Sequence, residues 1–295
     1  MGLNILLISP RKNEGTKKPR GVNIPEMALL ILAGLTPEEH SVTIVEEERE
    51  TVSLDTECDL VGISCMTANA PRAYYFAEEF RKRGKPVVLG GIHPSVLPDE
   101  AIHYADSVVI GEAEGVWRDV IADCERGSLK QFYHKEAPSL EEYLPIKQRN
   151  GKKRALFNLN PIMTTRGCPF NCEFCCVCDL YGKKIRHIPV KNVVRDIVDS
   201  GRKYFIFLDD NIIGDTRYAT ELFSAINPLK IKWIGQASIS FVKNEKLIKQ
   251  AVDSGCEGLF FGLETVSPSH LKRLRKSFTE IEKVEEAIKR IEDYG

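Results

Sequence analysis

The sequence lacks a long apolar segment: within its 295 residues, no run approaches the roughly 18 apolar residues that a membrane-spanning helix needs. It also lacks a charge bias, because 41 Lys and Arg residues against 42 Asp and Glu leave a net charge of −1 and give no overall attraction to nucleic acid or to an anionic membrane. The apolar N-terminal run 3–8 is too short for a signal peptide, and long repeats are missing. We therefore expect a globular cytoplasmic protein without a nucleic-acid partner.

Cysteine, in contrast, is plentiful, and the nine cysteines need an explanation because disulfides are rare in the cytoplasm. Five of the nine fall between Cys168 and Cys178. This concentration points to metal binding more than to a scattered disulfide framework. We expect Cys65, Cys176 and Cys256 to be buried free thiols that pack as small apolar side chains.

Residues 1–127 alternate short β-rich runs with helical patterns, which predicts parallel strands with helices on both faces of one sheet. The predicted fold class is therefore α/β, with a doubly wound parallel sheet of about five strands. The expected strands are Asn4–Ser9, Ser41–Glu46, Leu60–Cys65, Pro86–Gly90 and Ser107–Gly111, and the expected helices lie near Pro25–Leu35, Pro71–Gly84 and Glu112–Gly127.

Residues 128–160 show weaker periodicity and are interpreted as a linker, after which a second βα alternation occupies 161–295. Four βα units form an arc of parallel sheet, because a closed barrel needs more strands. We therefore expect a partial βα barrel in a chain that is a fragment of a longer protein. The expected strands are Ile162–Thr165, Tyr204–Leu208, Lys232–Ala237 and Gly258–Gly262, and the expected helices are Val190–Gly201, Tyr218–Ile226, Glu245–Gly255 and Thr279–Tyr294.

The cysteines Cys168, Cys172 and Cys175 have the spacing C-x3-C-x2-C directly after a predicted strand. Thiolates are soft ligands that suit iron–sulfur clusters or zinc. Structural zinc usually takes four ligands, and the sequence has no second C-x2-C pair at the spacing of zinc sites. Three ligands to a four-iron cluster leave one iron open for a substrate. Cys178 extends the series to C-x2-C-x2-C, so a ferredoxin-like cluster with four protein ligands is an alternative.

This motif, with the aromatic Phe174 before Cys175, resembles the signature of the radical S-adenosylmethionine (SAM) superfamily. The resemblance implies that Cys168, Cys172 and Cys175 bind a [4Fe–4S] cluster and that SAM binds the open iron. In that superfamily, one electron from the reduced cluster splits SAM into methionine and a 5′-deoxyadenosyl radical, while the protein positions and shields the cofactors.

Polar residues of the second region fall at the carboxyl ends of its predicted strands, where ligands gather in a parallel barrel. Radical SAM proteins often have Gly-Gly-Glu after the second strand, and this chain has Asp209 and Asp210 there. A carboxylate can still accept hydrogen bonds from the SAM ammonium group, and a helix N-cap is the other role that Asp favours. The predicted SAM-binding residues are Asp209, Asp210, Gln236, Ser238, Gly262 and Glu264.

Loops at the carboxyl edge of the first predicted sheet, in particular 87–94 and 111–114, resemble the N-terminal domain of cobalamin-binding radical SAM enzymes. Paired glycines there let a ligand approach the backbone closely. The D-x-H-x-x-G motif, whose histidine ligates cobalt in other cobalamin enzymes, is missing from the sequence. His93 could ligate cobalt, or it could belong to the pocket wall. The predicted cobalamin-binding residues are Thr67, Gly90, Gly91, His93, Gly111 and Glu112.

The resemblance implies a cobalamin-dependent methyltransferase that acts on an unactivated carbon or phosphorus of a small molecule, with flavodoxin or ferredoxin as reductant. One alternative is a radical SAM cyclase or rearrangement enzyme without cobalamin, and another is a non-catalytic electron-transfer or cobalamin-binding module. A methylthiotransferase would place a second cluster on Cys58, Cys65 and Cys124, whose spacing fits no such family. Arg166 and the basic run 183–186 are expected to be solvated surface.

Overall fold

The computed structural model describes residues 2–12, 22–142, 157–276, 279 and 284–294. Two compact units are present. The first contains the described residues up to Pro138 together with Phe157, and the second contains 139–142 and the described residues from Asn158 onward. In the described part of the chain, no helix is both long and apolar enough to cross a membrane.

The first unit is built on a six-stranded sheet whose order is β3-β1-β4-β5-β6-β7, with every neighbouring pair parallel. The short strands β2 and β8 form a separate pair, and β8 lies where the chain passes from the first unit to the second. The strands are β1 Asn4–Ser9, β2 Val22–Asn23, β3 Ser41–Glu46, β4 Leu60–Ser64, β5 Val87–Gly90, β6 Ser107–Ile110, β7 Phe132–His134 and β8 Phe157–Asn158. The helices are α1 Met27–Leu35, α2 Ala70–Lys82, α3 Ile92–Val96, α4 Pro98–Ala101 and α5 Trp117–Glu125.

The central strands β1, β4, β5 and β6 are buried on both faces of this sheet, which explains why they are apolar runs. Alternate residues of a strand point to opposite faces. Leu6 therefore packs in the cluster that contains α2, whereas Leu7 lies on the face where a Cβ at Gly62 would also meet Trp117 of α5. The Trp117 indole N–H donates to the Thr36 hydroxyl at the end of α1, at 2.9 Å. The doubly wound prediction is confirmed.

The sheet has one strand more than predicted, because β7 lies inside the stretch interpreted as a linker. This strand has three residues, of which only Tyr133 is buried. A strand of this length is too short to give a recognisable alternation in the sequence. The same stretch contains a 3-10 helix at Leu140–Glu142, and residues 143–156 lie outside the described residues.

The second unit contains a four-stranded parallel sheet in the order β14-β13-β12-β9, which matches the predicted arc of four βα units. Its strands are β9 Asn160–Ile162, β10 Thr165–Arg166, β11 Arg186–His187, β12 Tyr204–Phe207, β13 Lys232–Ala237 and β14 Cys256–Phe261. Its helices are α6 Val177–Tyr181, α7 Val190–Ser200, α8 Thr216–Ile226, α9 Glu245–Asp253, α10 Pro268–Arg273 and α11 Val284–Glu292.

The predicted first strand and last helix of this unit are wrong, whereas the other predicted bounds agree with the structure to within two residues. The first strand was expected at Ile162–Thr165 but ends at Ile162, because Thr164 and Thr165 give their backbone N–H groups to the Asp209 side chain instead of to the sheet. The last helix was expected from Thr279, but Thr279 is not helical. Residues 280–283 lie outside the described residues, and α11 is described from Val284.

Candidate functional site

The predicted cysteine loop is framed by two short strands. β10 pairs antiparallel with β11, so residues 167–185 leave the sheet and return beside their own start. Gly167 opens the loop with φ +92°, and a Cβ there would lie 2.9 Å from the Lys184 carbonyl oxygen. A residue without a Cβ is therefore required where the two ends of the loop approach each other.

The three predicted ligands, Cys168, Cys172 and Cys175, are half-buried in this loop. Burial raises the pKa of Cys168 and of Cys172, which favours the neutral thiol until a cation binds. Among the described residues, no three His, Cys, Asp or Glu side chains converge closely enough to hold a single metal ion. A four-iron cluster does not need such convergence, because each cysteine binds a different iron. The soft donor set therefore fits a [4Fe–4S] cluster.

The other cysteines of the loop behave differently from one another. The Cys178 thiol, on α6, donates to the Phe170 carbonyl oxygen at 2.9 Å, so it is used by the backbone of the loop. Cys176 is exposed, and the prediction that it is a buried thiol is wrong because it stands at the outer start of α6. Cys65 is buried as predicted, and Cys256 is half-buried, with its pKa raised by burial to about 12.

Asp209 is buried at the end of β12, with 2% of its surface exposed. Its Oδ1 accepts hydrogen bonds from the backbone N–H groups of Thr164 and Thr165 and from both hydroxyls, which lie at 2.7 Å. Burial raises the pKa of Asp209 to about 6, although these hydrogen bonds lower it. The placement favours a role in holding the residues before the cysteine loop over the predicted contact with SAM.

Asp210 reaches the loop itself, since its Oδ2 accepts a hydrogen bond from the Gly167 N–H at 3.1 Å. Burial raises its pKa, while the Gly167 N–H and the charge of Arg166 lower it. Gln236, at the end of β13, is exposed, and its Nε2 lies 3.5 Å from the Asp210 carbonyl oxygen. These two predicted SAM-binding residues are thus brought together beside the start of the cysteine loop.

The ends of β13 and β14 hold the remaining predicted SAM-binding residues. The Ser238 N–H donates to Asn211 Oδ1 at 3.2 Å. Glu264 has φ +64° and forms an ion pair with Lys276 at 2.9 Å. A Cβ on Gly262 would overlap Glu264 Oε1 and lie 2.9 Å from Lys276 Nζ, so the glycine leaves space for that pair.

Two polar residues of this edge, Lys276 and Asn211, are not among the residues predicted from the sequence to bind SAM. Asn211 directly follows the Asp209-Asp210 pair, so its position after a strand was an available signal. Lys276 lies in a basic stretch, 272–276, in which nothing distinguishes a buried lysine from its exposed neighbours. Arg166 is also buried, and its Nε donates to Met163 Sδ at 3.4 Å. The prediction of solvated surface is therefore wrong for Arg166, because β10 carries it inward.

In the first unit, the predicted residues follow β4, β5 and β6 at their carboxyl ends. Gly91 has φ +102°, and a Cβ there would lie 2.6 Å from the Cys65 carbonyl oxygen. A Cβ on Gly90 would meet only Val109, at an ordinary contact distance of 3.7 Å. Of the two paired glycines, Gly91 is therefore the one that the close approach of two backbone segments requires.

His93 is buried behind this edge, and both of its ring nitrogens contact protein groups. Nδ1 lies 3.3 Å from the Thr67 hydroxyl, and Nε2 lies 3.0 Å from the Tyr74 hydroxyl and 3.3 Å from Glu100 Oε1. The Tyr74 hydroxyl in turn donates to Glu100 at 2.9 Å. This network favours the interpretation of His93 as part of the pocket wall over a cobalt ligand.

Gly111 is tied to the same edge through Ser95. The Ser95 hydroxyl donates to the Gly91 carbonyl oxygen at 2.7 Å and accepts from the Gly111 N–H at 2.9 Å. Glu112, the next residue, is buried with 9% of its surface exposed. The structure thus brings Thr67, Gly91, His93 and Gly111 together through hydrogen bonds and backbone contacts at one sheet edge.

Two family models match the chain: the B12 binding domain matches residues 19–121, and the radical SAM superfamily matches residues 162–295. The two matches together cover most of the chain, in the order that the sequence resemblance predicts. The chain therefore carries a B12 binding domain followed by a radical SAM domain.

Curated relatives agree with this assignment. Bacteriochlorophyllide d C-8(2)-methyltransferase of Chlorobaculum tepidum is 33% identical over 90% of this chain and 63% of its own length. Bacteriochlorophyllide d C-12(1)-methyltransferase of the same organism is 29% identical over 96% of this chain and 65% of its own length. The chain therefore spans less than two thirds of the length of these relatives.

A solved structure confirms the fold. The cobalamin-dependent SAM radical enzyme OxsB, with aqua-cobalamin bound, superimposes with a TM-score of 0.79 at 18% sequence identity. The match covers the whole of this chain and 48% of OxsB. At this identity the likeness shows the fold alone.

Proposed function

We propose that this chain is the cofactor-binding part of a cobalamin-dependent radical SAM methyltransferase. The observation that carries the proposal is the order of its parts: a B12 binding domain precedes a radical SAM domain whose loop presents Cys168, Cys172 and Cys175. The names of both bacteriochlorophyllide methyltransferases specify a carbon position. Their likeness supports methyl transfer to carbon over transfer to phosphorus.

The residues of the second unit would have three roles, which are cluster binding, SAM binding and positioning of the cysteine loop. Cys168, Cys172 and Cys175 would hold the [4Fe–4S] cluster, and the polar groups of Gln236, Ser238 and Glu264 would bind SAM. When bound, the cluster and SAM supply a 5′-deoxyadenosyl radical, and cobalamin supplies the methyl group. Asp209 and Asp210 keep the beginning of the cysteine loop in place through the hydrogen bonds described above.

The first unit would bind cobalamin along the edge formed by Thr67, Gly90, Gly91, Gly111 and Glu112. Gly91 brings the backbone close to the loop after β4, and glycines at this edge let a ligand approach the backbone closely. His93 stands behind this surface. Cys58 and Cys65 both pack in the core beside α2, which does not support a second cluster of the methylthiotransferase type.

A cytoplasmic location and a reductant of the flavodoxin or ferredoxin class belong to the same proposal. A low-potential cluster needs a one-electron donor, and a free-thiol ligand set suits a reducing compartment. The substrate is proposed to be a small molecule with an unactivated carbon.

The test is anaerobic reconstitution of the chain with iron, sulfide and hydroxocobalamin, followed by reduction and an assay for 5′-deoxyadenosine from SAM. We expect iron binding, retained cobalamin absorbance and 5′-deoxyadenosine in the wild type, with iron binding and 5′-deoxyadenosine lost in Cys172→Ala. A wild-type chain that binds no iron would overturn the proposal. Iron binding without retained cobalamin would favour the cobalamin-independent cyclase.

A further inference from the structure

Lys276 is a buried lysine beside the cysteine loop, with only 7% of its surface exposed. An ammonium group is costly to bury unless a negative charge accompanies it. Arg275, directly before it, takes φ +55°, and the Lys276 N–H donates to the Leu271 carbonyl oxygen at 2.8 Å. The chain therefore turns sharply after α10 and directs Lys276 inward.

This turn contacts the cysteine loop through its backbone and its side chains. The Glu173 N–H donates to the Leu274 carbonyl oxygen at 3.0 Å, and Lys276 Nζ lies 5.6 Å from the centre of the Phe174 ring. Burial raises the pKa of the neighbouring Cys172, while the Lys276 charge lowers it. The ammonium thus lies beside the part of the cysteine loop that contains Cys172 and Phe174.

Glu264 provides a negative partner for this charge. Lys276 Nζ lies 2.9 Å from Glu264 Oε1, and the Glu264 side chain is 35% exposed. Gly262 has no Cβ to displace the pair. The fold therefore keeps a positive charge at the cysteine loop and reserves space for it.

We propose that Lys276 is a positioning residue that makes one-electron reduction of the [4Fe–4S] cluster more favourable and helps the loop to retain it. The inference rests on the proposed function. A thiolate-bound four-iron cluster is negatively charged and gains one more negative charge on reduction, so a nearby ammonium stabilises the reduced state more than the oxidised state. The electron comes from a donor of the flavodoxin or ferredoxin class, no bond is broken and no proton moves.

The test is a mediated redox titration of the anaerobically reconstituted chain, with the reduced cluster read by electron paramagnetic resonance. In Lys276→Met we expect the ratio of reduced to oxidised cluster at a fixed potential to fall about tenfold, which is about 59 mV for a one-electron couple. Lys276→Arg keeps the charge and should restore the wild-type midpoint. Lys272→Met is the matched control, because Lys272 is an exposed lysine of α10 and the same charge is removed.

A second pair of variants tests the same charge without touching the lysine. Gly262→Ala should displace the Glu264–Lys276 pair and shift the midpoint in the same direction. Gly258→Ala on the same strand should not, because its Cβ would meet only Ile234 at an ordinary 3.7 Å. If Lys276→Met fails to fold, the midpoint potentials of Gly262→Ala and Gly258→Ala test the role of Lys276 instead.

The outcomes separate the two proposals. A wild-type chain without a cluster overturns the proposed function. A wild-type chain with about four irons, together with a wild-type midpoint in both Lys276→Met and Gly262→Ala, overturns the role of Lys276 and leaves the proposed function standing. Weaker SAM binding at an unchanged midpoint likewise overturns it, because Lys276 would then bind the SAM carboxylate directly.

Discussion

The two sheet edges of this chain satisfy their polar groups in different ways. At the edge of the first unit, the polar groups of His93, Ser95 and Gly111 form hydrogen bonds with other groups of the protein. Most of these partners are neutral. At the edge of the second unit, Asp209 Oδ2 and Asn211 Nδ2 are buried without a hydrogen-bond partner among the described residues. The half-buried thiols of Cys168 and Cys172 there have raised pKa values.

A buried polar group without a partner costs free energy, so native proteins keep such groups where something else will use them. We infer that the first edge is completed by the protein and only shaped for its ligand, whereas the second edge is completed by its cofactors. Substitutions at the first edge should therefore cost mainly folding stability, and substitutions at the second should cost mainly cofactor binding.

The largest expected effect is loss of the cluster in Cys172→Ala. We expect bound iron to fall from about four per chain to near zero, because the remaining two thiols cannot hold the cluster. Iron content and visible absorbance after anaerobic reconstitution are the measurements. Cys176→Ala, an exposed cysteine of the same loop, is the control and should keep its iron.

Cys178→Ala sharpens this experiment, because it separates three cysteine ligands from four. With three ligands, the variant should keep about four irons and lose the thiol's hydrogen bonds to the Phe170 and Cys168 carbonyl oxygens. Loss of iron in Cys178→Ala would instead support the ferredoxin-like alternative and would contradict the open iron on which SAM binding depends.

Gly91→Ala should produce the largest loss of stability at the first edge. Its positive φ and the overlap of a Cβ with the Cys65 backbone should lower the free energy of unfolding by about 3 kcal/mol or more. Chemical denaturation measures this, and cobalamin retention should fall in parallel. Gly90→Ala is the matched control and should cost about 1 kcal/mol or less. Equal losses in the two variants would show that the close approach at Gly91 does not set the geometry of this edge.

Asp209→Asn tests a residue of the second edge that contributes to folding stability. It is therefore an exception to the expectation that substitutions at this edge affect mainly cofactor binding. The pKa of Asp209 in the folded chain is about 6, above its ordinary 3.8, so the folded state binds the proton more tightly. The contribution to stability is therefore fully present below about pH 4 and is lost as pH rises through about 6, by at most about 3 kcal/mol. Denaturation of the reduced, metal-free chain between pH 4 and 7 should show this slope in the wild type and not in Asp209→Asn. Parallel profiles would count against a buried, proton-binding Asp209.

Much of the fold could be predicted because its strands are apolar runs bounded by turn residues. The predicted bounds of Asn4–Ser9, Ser41–Glu46 and Lys232–Ala237 are those of the structure. The early end of β9 could not be predicted, because the carboxylate that ends it, Asp209, lies 44 residues beyond Thr165. Local pattern carries no information on such a partner.

The same limit applies to the site. The cysteine loop could be predicted because its spacing is local, whereas the inward Lys276 depends on a left-handed turn at Arg275 and on Glu264, twelve residues earlier. His93 was singled out by its neighbours in sequence, but its role depends on Tyr74 and Glu100, which only the fold brings to it.

The smallest expected effect comes from His93→Gln, and it tests the first half of the comparison. If His93 belongs to the pocket wall, the variant should bind cobalamin with an unchanged absorption spectrum, because no ligand of cobalt is removed. Stability should fall by about 1–2 kcal/mol, since the hydroxyls of buried Tyr74 and exposed Thr67 each lose a partner. Tyr74→Phe, which removes the other end of the same contact, should cost a similar amount and also leave the spectrum unchanged. A shifted cobalamin spectrum in His93→Gln alone would identify His93 as a cobalt ligand, and the first edge would then depend on its cofactor as the second one does.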